Sequence, residues 1–237
     1  MKIAVITGSS GNIGREFTKC LTGRGYFVYA LDKRKSSLRS NEKVEPVAID
    51  VTDEDAVVDF FSGLNNLDLL VNNAGIGVFT PFEERTAQEF REVLEVNLVG
   101  TFLMAREAIK IMKKQKKGKI VNIGSIYGVK SSDERIYGES GRNNSEVYSA
   151  SKAGVIQLTR YLACHYARYN IQVNCISPGG IRAGQSADFV LNYEYKTPAG
   201  RMGQPADISA ALAFLCSAGA DYINGQNIIV DGGFVAW

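Results

Sequence analysis

Short apolar runs rich in β-branched residues alternate with longer segments of helical spacing along the whole of this chain. Ile3–Thr7, Tyr26–Leu31, Val47–Ile49, Leu67–Val71, Lys119–Gly124, Ile171–Ile176 and Asn227–Val230 read as strands bounded by Gly, Asn or Asp. Gly14–Thr22, Asp53–Leu64, Ala87–Gln115, Tyr148–Tyr169 and Ala206–Ser217 lie between them with apolar residues recurring at helical intervals. These strands lack the polar alternation of a sheet with one wet face, so helices must cover both sides. The order predicts an α/β fold: a single doubly wound Rossmann-type domain, a parallel seven-stranded sheet with helices on both faces. The 237 residues fit one such domain, and no repeat, low-complexity tract or linker marks a second.

The charge balance argues against polyanionic partners. Lysine and arginine total 27 against 25 acidic residues, and the basic run from Lys110 to Lys119 ends a long helical segment, where cations oppose the helix dipole. No aromatic residues interleave with that run, so no nucleic-acid partner is expected. No stretch approaches the roughly 18 apolar residues that a membrane span needs. The first residues enter a strand pattern at once without an export signal, and Cys20, Cys164, Cys175 and Cys216 are widely scattered. A cytoplasmic protein with reduced thiols and no metal site is the expectation. His165 stands mid-helix with no carboxylate neighbour in sequence and reads as structural.

The first strand leads directly into Thr7-Gly8-Ser9-Ser10-Gly11-Asn12-Ile13-Gly14. Glycines there permit a tight turn and let backbone N–H groups approach a pyrophosphate at the positive end of a helix. Asp32 closes the second strand, where a carboxylate accepts hydrogen bonds from an adenosine ribose diol and repels a 2′-phosphate. That favours NAD over NADP, although Lys33, Arg34 and Lys35 could neutralise the repulsion. Asp50 follows the third strand and Asn72-Asn73-Ala74-Gly75 the fourth, both at carboxyl ends, where open α/β sheets bind ligands.

Tyr148 and Lys152 stand one helical turn apart. An ammonium beside a phenol favours the phenolate, and a tyrosine tuned in this way can transfer a proton near neutral pH. With the glycine turn, Asn97 in Val96-Asn97-Leu98, Ser125, Ser177-Pro178-Gly179-Gly180-Ile181 and the closing Asp231-Gly232-Gly233, the ordered set resembles the short-chain dehydrogenase/reductases in their compact form. The resemblance implies Tyr148 as general acid/base and Lys152 as the cation that lowers its pKa and holds the nicotinamide ribose. It implies Ser125 as the hydrogen-bond donor to the substrate oxygen and Asn97 as the holder of a proton-relaying water. It also implies that Gly8, Gly11, Asn12, Ile13 and Gly14 line the pyrophosphate, Asp50 and Val51 the adenine, Asn73, Ala74 and Gly75 the adenosine side, and Pro178, Gly179 and Ile181 the nicotinamide. Small-molecule substrates and assembly into a homodimer or homotetramer belong to the same expectation.

Three departures from the family pattern bear on specificity. The glycine spacing, with Asn12 in place of the middle glycine, is similar to that of the larger sugar-nucleotide epimerases and dehydratases. Ser125 and Tyr148 are separated by 23 positions, an interval longer than usual, so a polar insert of about residues 129–146 is expected beside the active site. It is either an exposed loop or a flap whose Arg135 or Arg142 meets a phosphate or carboxylate. After Pro178-Gly179, Ala183 replaces a hydroxyl residue, leaving Arg182 or Ser186 to hold the carboxamide. Residues 182–200 read as a mobile lid.

The polar groups of insert and lid favour a sugar or sugar phosphate. Ile136-Tyr137, the Ile176–Ile181 stretch and the tail resemble, more loosely, members associated with bacterial surface and flagellin sugar synthesis. A 3-oxoacyl thioester reductase and a non-catalytic dinucleotide-binding sensor are the alternatives.

Overall fold

Ala4, Val5 and Ile6 are fully buried, and their side chains divide between two cores, Val5 on one side of the sheet and Ala4 and Ile6 on the other. That division follows from the two-residue period of a strand. The computed structural model, which describes residues 1–34, 38, 40–140 and 143–237, places them in β1 (Lys2–Thr7). The other strands are β2 (Tyr26–Asp32), β3 (Val44–Ala48), β4 (Leu69–Asn72), β5 (Gly118–Ile123), β6 (Ile171–Pro178) and β7 (Asn227–Val230). They form one parallel sheet in the order β3-β2-β1-β4-β5-β6-β7. The order reverses between β1 and β4, which opens a crevice at the carboxyl ends of these two strands.

Helices α2 (Glu54–Ser62), α4 (Gly100–Gln115) and α5 (Glu146–Tyr166) cover one face, packing Val57, Phe61, Met104, Ala108 and Leu162 against Val5, Leu70 and Ile120. On the other, α1 (Asn12–Thr22) and α7 (Pro205–Leu215) pack Phe17, Leu21, Ile208 and Leu212 against Ala4, Ile6 and Val71. Each such side chain contributes about 1.5–3 kcal/mol by leaving water. The α/β fold with a seven-stranded parallel sheet is therefore as expected. Among the described residues no helix is long and apolar enough to cross a membrane.

Local departures have physical causes. The third strand begins at Val44, earlier than its apolar core suggested, because an edge strand tolerates Glu45 and Pro46. The single helix expected over 87–115 is α3 (Ala87–Leu94) followed by a wide π turn at Glu95–Val99 and then α4. Asn97 sits in that turn. The segment read as a mobile lid instead contains α6 (Ala187–Lys196), capped by Ser186, whose hydroxyl accepts from the Phe189 N–H. Within the insert, residues Glu134–Tyr137 form a 3₁₀ turn capped by Asp133.

Insert, lid and tail meet in a small third core. Ile126, Ile136, Val190, Tyr193, Met202 and Phe234 are buried together, with Tyr193 stacked on Phe234 at 4.5 Å between ring centroids. Polar contacts lock its rim. Asp133 pairs with Lys196 of α6, and the Trp237 indole N–H donates to the Lys196 carbonyl at 3.1 Å.

Candidate active site

The turn after β1 is held by its neighbour across the crevice. Asn73 Nδ2 donates to the carbonyls of Thr7 and Gly8 at 3.1 and 3.0 Å, while Thr7 Oγ1 accepts from the N–H groups of Asn73 and Ala74. Gly8 adopts φ +64°, and a Cβ on residue 14 would stand 2.2 Å from the Gly8 carbonyl oxygen. Glycine is therefore required at both places. The hydroxyls of Ser9 and Ser10 are buried in this turn with no hydrogen-bond partner among the described residues. Unsatisfied polar groups at a helix N-terminus suit an anion, and the turn fits a pyrophosphate.

A cavity of about 640 Å³ runs past this turn, lined by Gly8, Gly11, Asn12, Ile13, Gly14, Asp32, Asp50, Val51, Asn73, Ala74, Gly75 and Ile181. The sequence-predicted residues of the pyrophosphate and adenosine sides thus lie together. Asp32 accepts from the N–H groups of Ser10 and Arg34 at 3.0 and 3.1 Å. Lys33 turns away to Asp50, 2.7 Å distant. Burial tends to raise the Asp50 carboxyl, but Lys33 and two hydrogen bonds from Thr52 outweigh it and hold the group below its ordinary range.

A second cavity of about 600 Å³ shares Ile13, Asn73, Gly75, Ile76 and Ile181 with the first. Ser125, Tyr148, Lys152, Pro178 and Gly179 line it, so the two cavities form one continuous groove in which the four-residue catalytic expectation can be examined. Ser125 caps a 3₁₀ turn at Ile126–Gly128, accepting from the Tyr127 N–H, and its hydroxyl is hydrogen-bonded to Tyr148. Residue 128 must be glycine for this turn to reach α5, because a Cβ there would stand 2.9 Å from the Lys152 carbonyl carbon.

Lys152 is 4% exposed and donates to the Ile123 carbonyl at 2.7 Å. Burial lowers its pKa to about 8. Its Nζ lies 5.7 Å from the centroid of the Tyr148 ring. Here the structure differs from the sequence expectation for Tyr148: burial raises the phenol, and the Ser125 hydrogen bond only partly opposes it. The lysine charge is drawn to the Ile123 carbonyl instead.

Asn97, fully buried, uses its carboxamide to fix the backbone of Ile76 in both directions and to donate to Ser151 Oγ at 3.0 Å. Its Oδ1 and Lys152 Nζ also flank the empty side-chain position of Gly75, at 3.3 and 3.4 Å from an ideal Cβ. As glycine, residue 75 leaves the space between the two side chains open.

Insert and lid reach the second cavity through residues other than the arginines. Arg135 is exposed and closes a two-point pair with Asp133 at 2.8 Å, outside the lining of the second cavity. Arg142, like Lys35, lies outside the described residues. Arg182 pairs with Glu194, and Ser186 lines the cavity while capping α6. Sequence reasoning missed the wall formed by Val78, Phe79 and Tyr127, while Gln185 and Phe189 belong to the segment read as the lid and Tyr137 to the insert. His165 is structural, its ring stacked on Tyr161 at 3.9 Å.

A family model described as enoyl-(acyl carrier protein) reductase matches residues 8–235. The chain is 34% identical to 2-dehydro-3-deoxy-D-gluconate 5-dehydrogenase of Formosa agariphila, over 99% of this chain and 93% of that protein. It is 32% identical to a 3-oxoacyl-[acyl-carrier-protein] reductase of Vibrio cholerae, over 98% and 96%. Among solved structures, a short chain dehydrogenase from Leptospira borgpetersenii with bound NAD+ is 46% identical and superposes with a TM-score of 0.94, covering 98% of this chain and 92% of that one.

Proposed function

The chain belongs to the short-chain dehydrogenase/reductases, nicotinamide-dependent oxidoreductases, and on that premise we propose that it interconverts a secondary alcohol and a ketone on a sugar derivative, using NAD(H). The observation that carries the reading is the hydrogen-bonded pair Ser125 and Tyr148, standing with Lys152 in a groove continuous with the glycine turn. The dinucleotide supplies the hydride chemistry when bound. The chain's own residues orient the substrate and manage the proton.

In this reading the Ser125 hydroxyl donates to the substrate oxygen, and Tyr148 Oη delivers a proton to that oxygen in reduction or removes it in oxidation. Burial raises the Tyr148 phenol, so at neutral pH it carries the proton that reduction requires. Lys152 holds the nicotinamide ribose hydroxyls, and its positive charge favours the phenolate as the proton leaves. Asn97 would hold a water that relays protons from Lys152 to solvent, in the space that Gly75 leaves open beside both. The turn at Gly8, Gly11, Asn12, Ile13 and Gly14 would hold the pyrophosphate, Asp50 and Val51 the adenine, Asn73, Ala74 and Gly75 the adenosine side, and Pro178, Gly179 and Ile181 the nicotinamide.

Asp32 supports NAD over NADP, since its carboxylate lines the adenosine-side cavity while the Lys33 charge is engaged with Asp50. Lys152 is the only cation among the described residues lining the second cavity, which favours an unphosphorylated sugar. A 3-oxoacyl thioester is the second reading, favoured by the apolar wall of Ile76, Val78 and Phe79. The free cysteines and the exposed Phe90 and Phe102 support a cytoplasmic homodimer or homotetramer. A turnover panel of sugar acids, neutral sugars and acetoacetyl thioesters with NAD(H) tests the assignment. Activity on the thioesters alone would remove the sugar reading, and a Tyr148→Phe variant with wild-type rate would remove the acid/base role.

A further inference from the structure

One wall of the second cavity is the loop after β4, which contributes Ile76, Gly77, Val78 and Phe79 to its lining. The loop runs beside the Tyr148 ring: a Cβ on residue 77 would stand 3.7 Å from Tyr148 Cδ2. Its near end is fixed, because the Asn97 carboxamide holds both the N–H and the carbonyl of Ile76. Its far end, at Thr80, is held by Arg85.

Arg85 lies between a 3₁₀ turn at Phe82–Glu84 and α3. Its side chain is 5% exposed; Nη2 donates to the Thr80 carbonyl, and Nε donates to Glu146 Oε1 at 3.2 Å. Glu146 is the first residue of α5, two positions before Tyr148. The Thr80 hydroxyl donates to Glu89 of α3, and Arg85 carries the tie on to α5. Arg85 Nη1 is buried with no hydrogen-bond partner among the described residues.

A buried arginine with one nitrogen unpaired is a poor device for stability, since a well-packed apolar side chain commonly serves as well or better. What the guanidinium adds is direction. Its planar fork makes two bonds at a fixed angle, so the Thr80 carbonyl and the first turn of α5 are kept at one separation.

We propose that Arg85 is a positioning residue: by bridging Thr80 to Glu146 it holds the wall at residues 77–79 at a set distance from Tyr148, and so places a bound substrate against the Tyr148 hydroxyl. Its effect on turnover rests on the proposed acid/base role of Tyr148, whereas its effect on the loop does not.

Arg85→Met keeps most of the length and removes the fork. In hydrogen–deuterium exchange on the NAD+-loaded protein, the amides of residues 77–80 should exchange about tenfold faster, the value of one good hydrogen bond, with the glycine turn unchanged. The turnover probes are D-gluconate with NAD+ and acetoacetyl-CoA with NADH. For whichever the wild type turns over, kcat/KM should fall about tenfold to a hundredfold, as for a misplacement on the order of 1 Å, while NAD+ affinity and the pH profile stay unchanged. Arg85→Lys retains the charge without the fork and should resemble Arg85→Met. Glu146→Gln, at a partly exposed position, supplies a folded protein if Arg85→Met does not, and should shift both readouts the same way by a smaller factor. Wild-type exchange at residues 77–80, wild-type kcat/KM, or full recovery by Arg85→Lys would overturn the inference; if neither compound is turned over, exchange decides it. Fast loop exchange in Arg85→Met beside a Tyr148→Phe variant of wild-type rate would count against the acid/base reading alone.

Discussion

Asn97 Oδ1 and Lys152 Nζ converge on one point, 3.3 and 3.4 Å from where a side chain on residue 75 would begin. Neither side chain is free to move there: the first holds the backbone of Ile76 and the second the carbonyl of Ile123. The gap is therefore a fixed feature of the site, and one methyl group fills it. Gly75→Ala should lower kcat about tenfold or more, within the range for impaired proton transfer, and change the solvent isotope effect on turnover. A variant that folds, binds NAD+ and turns over at the wild-type rate with the wild-type isotope effect would show that no proton passes through this gap.

The buried lysine also sets a pH dependence of stability. Its folded pKa is lowered to about 8 from 10.5, so below pH 8 the lysine is charged in both states and the folded chain bears the whole cost of desolvation. Between these values the unfolded chain keeps a proton that the folded chain has released, and stability rises with pH. The gain is complete above about 10.5 and is lost as pH falls through 8. With 2.5 pH units at about 1.4 kcal/mol each, the wild type should gain up to roughly 3 kcal/mol relative to Lys152→Met between pH 7 and 10.5. Urea unfolding of both proteins across that range checks it, and parallel stability curves would refute the burial argument.

Much of the fold was legible in the sequence because parallel strands covered on both faces are continuous apolar runs, as in β1 and β4. The groove was legible because its residues lie at strand ends in chain order. The lid helix was not. Ser186 and Asp188 gave it a start signal, but what fixes α6 is distant in sequence: Phe234 under the Tyr193 ring, the Gly180 N–H at its hydroxyl and Asp133 at Lys196. The π turn at Asn97 was hidden for a similar reason, since its partners Ile76 and Ser151 come from two other segments. Tyr148 failed differently: the i to i+4 spacing places the lysine nearby, but burial and the Ile123 carbonyl decide where its charge is used.

In the proposed reading, cofactor choice turns on Asp32. Its carboxylate lines the adenosine-side cavity, and a 2′-phosphate brought near it would meet repulsion of about 4 kcal/mol at 4 Å for one charge pair in a surface-like dielectric. Asp32→Asn removes the charge and keeps one of the two oxygens, which accept separately from Ser10 and Arg34. The ratio of kcat/KM for NADPH to that for NADH should rise at least on the order of tenfold. An unchanged ratio in steady-state kinetics would mean that Asp32 does not select the cofactor.

Tyr193 ties the lid helix to the Gly179-Gly180 segment that lines the second cavity. Its ring is 1% exposed, and its hydroxyl accepts from the Gly180 N–H, so burial raises the phenol to about 12 even though that bond opposes it. Removing the hydroxyl leaves the ring stacked on Phe234 but strands the Gly180 N–H in a buried setting. An unpaired buried donor costs about 1–3 kcal/mol, and Tyr193→Phe should lose stability of that size in chemical denaturation. Because Gly179 and Gly180 line the catalytic cavity, the same change should weaken NAD+ binding without altering the pH profile of turnover. Full stability with normal NAD+ affinity would show that Gly180 is positioned by the chain itself and that α6 covers the site without organising it.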